Sequence, residues 1–294
     1  MQRPAAVSFL LALRPKQWVK NVFVFAALVF AERLADPEAL LRVVAAFAVF
    51  CVLSSAVYLI NDVRDREADR KHPHKRRRPI AAGEISPGLA SAASLVLAVG
   101  ALFAAFRLSN GMGAIAAAYL IFNFGYSFGL KKVVILDVMM VAAGFLMRAL
   151  AGAVVIDVEI SRWLVLCTGL LALFLGFVKR RQELAAFEGG SETRSILKEY
   201  SLPFLDQMIA IVTGATVVAY SLYAFSPEVA QKLGTEHMGL TIPFVLFGIF
   251  RYLYLVHQRG VGENPTVVVL TDVALIVDVL LWGLAVVLAL YVWR

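Results

Sequence analysis

The chain is written in long apolar runs broken by polar stretches of two lengths. Helical spans of about 20 apolar residues cross a bilayer. Nine such runs lie at roughly 17–34, 41–60, 88–106, 113–130, 133–156, 161–178, 207–225, 240–256 and 272–293. The polar stretches near 31–40, 107–112, 157–160 and 226–239 are short, whereas those near 61–87 and 179–206 are long. The pattern predicts an all-α integral membrane protein of nine transmembrane helices, a single domain over 1–294. The two long loops are expected to form a cytoplasmic cap. They stand four helices apart, a spacing that suggests a duplicated four-helix unit plus a ninth helix, although no sequence repeat is visible.

Composition strengthens this reading. Hydrophobic residues make up 61% of the 294, and the mean hydropathy is +0.78. Soluble domains are nearer half apolar. With the N-terminus inside, 21 of the 28 Lys and Arg residues fall on the inner side and 6 on the outer, with Arg148 inside a span. That bias follows the positive-inside rule and predicts a multi-pass inner (plasma) membrane protein with a cytoplasmic N-terminus. The net charge of +7 is thereby gathered on one face. It serves topology alone, or it receives an anionic substrate from the cytoplasm. Arg3 and Arg14 flank a short apolar segment, Ala5 to Leu13, with no convincing cleavage site after it. It reads as an interfacial helix. Cys51 and Cys167 lie within spans and read as packing residues, and no His/Cys spacing suggests zinc.

The most informative polar stretch is Asn61-Asp62-Val63-Arg64-Asp65-Arg66-Glu67-Ala68-Asp69, at the end of the second apolar run. On one helix, Asn61, Asp62, Asp65 and Asp69 fall at about 0, 100, 40 and 80° and share one sector. Carboxylates crowded this way repel unless a cation holds them. Hard oxygen donors suit Mg²⁺, which binds through one or two carboxylates, waters and substrate phosphates. A basic run, Lys71 to Arg78, follows at once. Acid then base at the end of an apolar helix reads as a metal–diphosphate site at a membrane surface.

Other residues extend the candidate site. Lys16 and Lys20 stand one turn apart beside Trp18 and Asn21, either to hold phosphate oxygens or as inner-side lysines next to an interfacial Trp. Tyr58 shares the acidic face one turn deeper, as a phosphate or hydroxyl contact or as an interfacial Tyr. Asp137, Val141, Gly144 and Arg148 form one stripe, with Arg148 about 16 Å deeper than Asp137. An arginine near mid-membrane faces a polar cavity or a partner; here it reaches a substrate phosphate or pairs with Asp278. Asn123, Tyr126, Lys131 and Lys132 are weaker candidates for the same cavity. Lys179 and Glu183, four apart, pair with each other or line the site with Arg180.

The combination N-D-x-x-D-x-x-x-D, a basic loop and Arg78-Pro-Ile-x-x-Gly-x-Ile-Ser86 resembles the UbiA superfamily of intramembrane prenyltransferases, over essentially the whole chain. The resemblance implies helices around a central cavity and Mg²⁺ holding a diphosphate on the aspartate-rich segment. Asn61, Asp65 and Asp69 would then be the metal and catalytic residues, and Asp62, Lys75 and the residues above would contact substrate. One motif departs. Aromatic prenyltransferases of the superfamily carry a second D-x-x-x-D after helix 6; here stand Lys179-Arg180-Arg181-Gln182-Glu183, with Glu188 later. Together with R-P-K-Q-W-x-K-N at Arg14–Asn21 and L-x-x-Y-S at Leu197–Ser201, this resembles the phosphoribosyltransferase branch. That branch moves 5-phosphoribose from phosphoribosyl diphosphate to a polyprenyl (decaprenyl) phosphate and releases diphosphate, in a step that feeds cell-wall arabinan. The partners it implies are those two substrates and the bilayer, with no nucleic acid and with homo-oligomerisation left open. The rival readings are transfer of a prenyl group to an aromatic or glycerophosphate acceptor, and transport of an anionic solute.

Overall fold

The structure, a computed structural model, describes residues 4–72, 75–187, 195–260 and 265–293. It is built of helices: α1 (Ala5–Leu13), a 3₁₀ segment (Pro15–Phe25), α2 (Ala26–Phe30), α3 (Pro37–Arg64), α4 (Arg66–Lys71), α5 (Pro87–Leu108), α6 (Asn110–Phe128), α7 (Leu136–Val155), α8 (Arg162–Phe187), α9 (Leu202–Phe225), α10 (Pro227–Leu233), α11 (Ile242–Gln258), α12 (Pro265–Thr271) and α13 (Val273–Tyr291). Among the described residues, eight helices are long and apolar enough to cross a bilayer, and the protein is a multi-pass membrane protein. The ninth expected span is present as two pieces, the 3₁₀ segment and α2.

Local chemistry sets the helix starts. Asp36 accepts from the N–H groups of Glu38 and Ala39 at the head of α3, with Pro37 in the first turn. Ser86, Ser109, Ser201 and Asp272 do the same for α5, α6, α9 and α13. Such side chains satisfy N–H groups that a helix start leaves open. Short connections then make neighbours in sequence neighbours in space: α3 packs on α5, α5 on α6, α6 on α7, α7 on α8, α8 on α9, and α11 on α13.

The 3₁₀ segment is wedged between α3 and α7. Trp18 donates to Ser55 Oγ at 3.0 Å, and Asn21 donates to Cys51 Sγ at 3.3 Å and Ser54 Oγ at 3.4 Å. On the other side Gly152 of α7 meets the backbone so closely that a Cβ there would lie 1.9 Å from the Val24 carbonyl oxygen. A run of eleven 3₁₀ residues is unusual. Here it is held from both flanks.

Two expectations change. Lys179 to Phe187 lie in α8, so the basic Lys179-Arg180-Arg181 stretch is helical rather than loop. The acidic segment is not one continuous helix: α3 ends at Arg64 and α4 restarts at Arg66, although Asp65 N–H still reaches Asn61 O at 2.9 Å and Asp69 N–H reaches Asp65 O at 2.8 Å. The short helix expected at Ala5 to Leu13 forms. Ser8 and Ala12 of α1 are buried against the protein while Val7, Leu10 and Leu11 stay exposed.

Candidate active site

Arg78-Pro79-Ile80-Ala81-Ala82-Gly83-Glu84-Ile85-Ser86 folds as a compact turn. Ala82 N–H bonds Arg78 O at 2.8 Å and Glu84 N–H bonds Pro79 O at 2.8 Å. Gly83 has φ +80°, a conformation that disfavours a side chain. Ile80 and Ile85 are buried, and Ser86 caps α5. The turn therefore fixes Arg78 over the acidic segment. Its Nη1 donates to Asp69 Oδ2 at 2.6 Å and to Asp62 Oδ1 at 3.1 Å. Arg14, at the left-handed junction between α1 and the 3₁₀ segment, also donates to Asp62 Oδ1, and its guanidinium lies 4.9 Å from the centre of the Tyr58 ring.

Asp65 accepts from Lys131 Nζ at 2.9 Å, and Asn61 Oδ1 accepts from Ser127 Oγ. The Ser127–Asn61 contact ties the end of α6 to the end of α3, and Ser127 Oγ also lies 2.8 Å from Asn123 O within α6. Each acidic side chain at this end thus already holds a cation or a donor. Burial pushes the Asp69 carboxyl above its ordinary range, and the Arg78 guanidinium partly offsets this.

A cavity of about 2190 Å³ opens beside this cluster. Its basic end is lined by Arg14, Lys16, Tyr58, Asn61, Asp62, Asp65, Lys75, Arg78, Lys131, Lys179 and Glu183. Deeper in stand Lys20, Tyr119 and Arg148, and below them a largely apolar wall that includes Phe23, Phe145, Leu171, Phe174 and Val286. The structure thus brings nine of the expected site residues, together with Lys20 and Arg148, to one cavity, and with them Arg14 and Arg78, which had entered only through their motifs.

Two of the expected site residues stand behind the wall. Asp69 is 4% exposed and is taken up by Arg78. Arg180 is 2% exposed and holds Asp137 Oδ2, Glu183 Oε2 and, at 3.2 Å, Tyr126 Oη. Asp137 is wholly buried and also accepts from Tyr200 Oη at 2.7 Å; the same hydroxyl accepts from Ile135 N–H at 2.6 Å. Tyr200 so pins Ile135, whose φ of +68° is strained for a β-branched residue. Lys179 stands 3.8 Å from Glu183. Among the described residues Arg148 pairs with no carboxylate: Nε donates to Asn21 Oδ1 at 2.7 Å, Nη1 to Gly144 O at 2.6 Å and Nη2 to Tyr119 Oη at 2.9 Å. Asp278 packs instead against Gly248, where a Cβ would lie 2.8 Å from its Oδ2. Glu188 lies outside the described residues.

Sequence reasoning left out Ser127 and gave Tyr200 no role. The L-x-x-Y-S motif carried the signal for Tyr200; nothing in the local sequence marked Ser127.

Among the described residues no three of His, Cys, Asp and Glu converge as a ready-made metal cage. Mg²⁺ needs none, because it keeps waters and shares substrate phosphates. The amide oxygen of Asn61 and the carboxylates of Asp62 and Asp65 face the cavity as hard donors. The cations now on Asp62 and Asp65 show that positive charge is favoured there, so the donor set fits.

The model of the UbiA prenyltransferase family matches residues 21–268. A decaprenyl-phosphate phosphoribosyltransferase of Corynebacterium glutamicum is 36% identical over 287 residues, covering 96% of this chain and 86% of the relative. Its counterpart in Mycobacterium tuberculosis is 37% identical over 276 residues, covering 92% and 90%. Among solved structures, a UbiA homolog from Archaeoglobus fulgidus bound to DMAPP and Mg²⁺ superposes with a TM-score of 0.73 at 17% identity, covering 95% of this chain and 96% of that one. Fold and sequence agree, and the chain belongs to the UbiA prenyltransferase family.

Proposed function

We propose that the protein transfers 5-phosphoribose from phosphoribosyl diphosphate to a polyprenyl phosphate of the decaprenyl type, releasing diphosphate at the cytoplasmic face. The observation that carries this reading is a cavity with a strongly basic, oxygen-donor-bearing end and a long apolar wall. It matches a donor made of phosphates and an acceptor that is a phosphate on a hydrocarbon tail. Relatives more than a third identical over most of the chain carry the corresponding name. The whole chain acts as one domain. α4, the turn around Gly83 and the segment 195–201 form its cap.

Asn61 and Asp65, with Asp62 beside them, would hold Mg²⁺, and Asp69 serves chiefly to fix Arg78 unless that arginine moves off it. When bound, the metal supplies Lewis-acid neutralisation of the leaving diphosphate. Lys131, Lys75, Arg14 and Arg78 add charge around the same oxygens, and Tyr58 offers a hydroxyl. The acceptor phosphate attacks the anomeric carbon. A carbon–oxygen bond forms to the acceptor as the bond to diphosphate breaks, and diphosphate leaves with the electron pair. The nucleophile is already an anion at neutral pH, so no general base is required. Catalysis is placement and preorganised charge.

The test is to incubate membranes carrying the protein with radiolabelled phosphoribosyl diphosphate, decaprenyl phosphate and Mg²⁺. Label should pass into the organic-extractable lipid. Consumption of geranylgeranyl diphosphate instead, with no lipid labelling from phosphoribosyl diphosphate, would overturn the reading.

A further inference from the structure

The charges around the cavity do not balance evenly. At the basic end every carboxylate is matched: Asp62 by Arg14 and Arg78, Asp65 by Lys131, Glu183 by Arg180. Deeper in, two basic side chains, Lys20 and Arg148, line the cavity with no carboxylate bonded to either among the described residues. Lys20 has no hydrogen-bond or ion-pair partner among the described residues, and the residue after it, Asn21, accepts from Arg148 Nε at 2.7 Å. Arg148 gives its N–H groups to three neutral acceptors. Asp278, the remaining deep carboxylate of the cavity, is bonded to neither.

Two rulers place this pair. Lys20 is six residues beyond Arg14 in the 3₁₀ segment, about 12 Å at that helix's rise. Its neighbour Asn21 bonds Ser54, eight residues before Asp62 on α3, again about 12 Å. Arg148 turns back toward the mouth, its Nη1 on Gly144 O one turn earlier. The pair therefore lies below the acidic edge, in a cavity where like charges are poorly screened. We infer that Lys20, supported by Arg148, is the seat of a second anion, the phosphate monoester of the lipid acceptor, apart from the metal–diphosphate site above it.

The choice of a lipid monoester rests on the surroundings. The aromatic rings of Phe23 and Phe145 meet edge to face at 5.3 Å on the cavity wall beside the pair. Val19 and Val22, flanking Lys20 in the same segment, are 38% and 52% exposed, an apolar flank suited to a tail lying toward lipid. In-line displacement also requires the attacking phosphate on the side of the anomeric carbon away from the leaving diphosphate, and a diphosphate held at the acidic edge, as proposed above, makes that the deeper side.

This inference rests on the acceptor proposed above, and binding measurements separate it from the donor. Wild type, Lys20→Met and Lys20→Arg would be compared in nanodiscs for binding of decaprenyl phosphate and decaprenol without donor or metal, and for steady-state kinetics with both substrates. Lys20→Met should weaken decaprenyl phosphate binding and raise its KM about tenfold or more, as expected for loss of a charged hydrogen bond. Decaprenol binding and the KM for phosphoribosyl diphosphate should stay within about twofold, and Lys20→Arg should retain most of the affinity. In the wild type, decaprenyl phosphate but not decaprenol should protect Lys20 from reductive methylation read by mass spectrometry, a measurement that needs no folded variant. A raised KM for phosphoribosyl diphosphate with unchanged lipid binding would assign the pair to the ribose 5-phosphate and overturn the inference, as would equal protection by both lipids. If the wild type binds decaprenyl phosphate through Lys20 yet transfers no phosphoribose, the inference stands and the donor reading falls.

Discussion

At the scale of single residues, access to the cavity separates groups that handle substrate from groups that hold them in place. Asp65 faces the cavity, and among the described residues its carboxylate holds only Lys131. Asp65→Ala should therefore abolish turnover while leaving the thermal unfolding midpoint in detergent nearly unchanged, and EDTA should mimic it in the wild type. Full activity of the purified variant, or in EDTA, would remove this residue from the site. Arg180 behaves in the opposite way. It is buried on a buried partner, Asp137. Arg180→Met strands that carboxylate and should cost about 3–5 kcal/mol of stability. Adding Asp137→Leu should recover most of the loss, and a melt of the three variants beside the parent measures both effects. Arg148 has no carboxylate to strand. Arg148→Met should cost only about 1–3 kcal/mol, from the acceptors on Asn21 and Tyr119 that it leaves unpaired, and Asp278→Leu should not rescue it.

At the scale of elements, the wedged 3₁₀ segment is the part on which the site depends most. It carries Lys16, Lys20 and Asn21, follows directly from Arg14, and is clamped by α3 on one side and α7 on the other. Gly152 is where the clamp is tightest. Gly152→Ala must push the Val24 carbonyl away, and overpacking of this kind costs about 1–3 kcal/mol. The expected outcome is a lower melting point together with a raised KM for the lipid acceptor, since the shift displaces the segment carrying Lys20. A normal melt and normal kinetics would show that the segment is free to move. Gly144→Ala makes a graded comparison, because a Cβ there would lie 3.3 Å from Arg148 Nη1, a contact relieved by a shift of a few tenths of an ångström.

At the scale of the whole molecule, polarity runs along the cavity from charged mouth to apolar depth. The two substrates are expected to act at different levels of it. Phosphoribosyl diphosphate should protect the basic face from limited proteolysis only when Mg²⁺ is present, whereas decaprenyl phosphate should raise the melting point without metal. Geranylgeranyl diphosphate should not be consumed. Protection that ignores Mg²⁺ would detach the acidic segment from the donor. Labelling of an introduced cysteine near residue 4 from one side of sealed vesicles tests the expected cytoplasmic N-terminus.

Much of this was legible in the chain itself. Spans of apolar residues have one comfortable environment, so the helices and their approximate ends followed from composition. The acidic segment and the turn motif were equally plain, because Asp, Asn and Arg at a membrane edge have few structural uses. What the sequence by itself could not decide was direction. Asp65 and Asp69 look alike as letters, yet one faces the cavity and the other is closed off by Arg78, which the Gly83 turn delivers from nine residues away. Lys179 and Arg180 are adjacent, yet one lines the cavity and its neighbour is buried on Asp137, because successive helical positions point about 100° apart. Arg148 was correctly marked as needing a polar partner. The partner came from Asn21, 127 residues away, a contact made only when the first segment wedges against α7. Residue type set which chemistry was available, and packing between helices distant in sequence decided which groups were left free to use it.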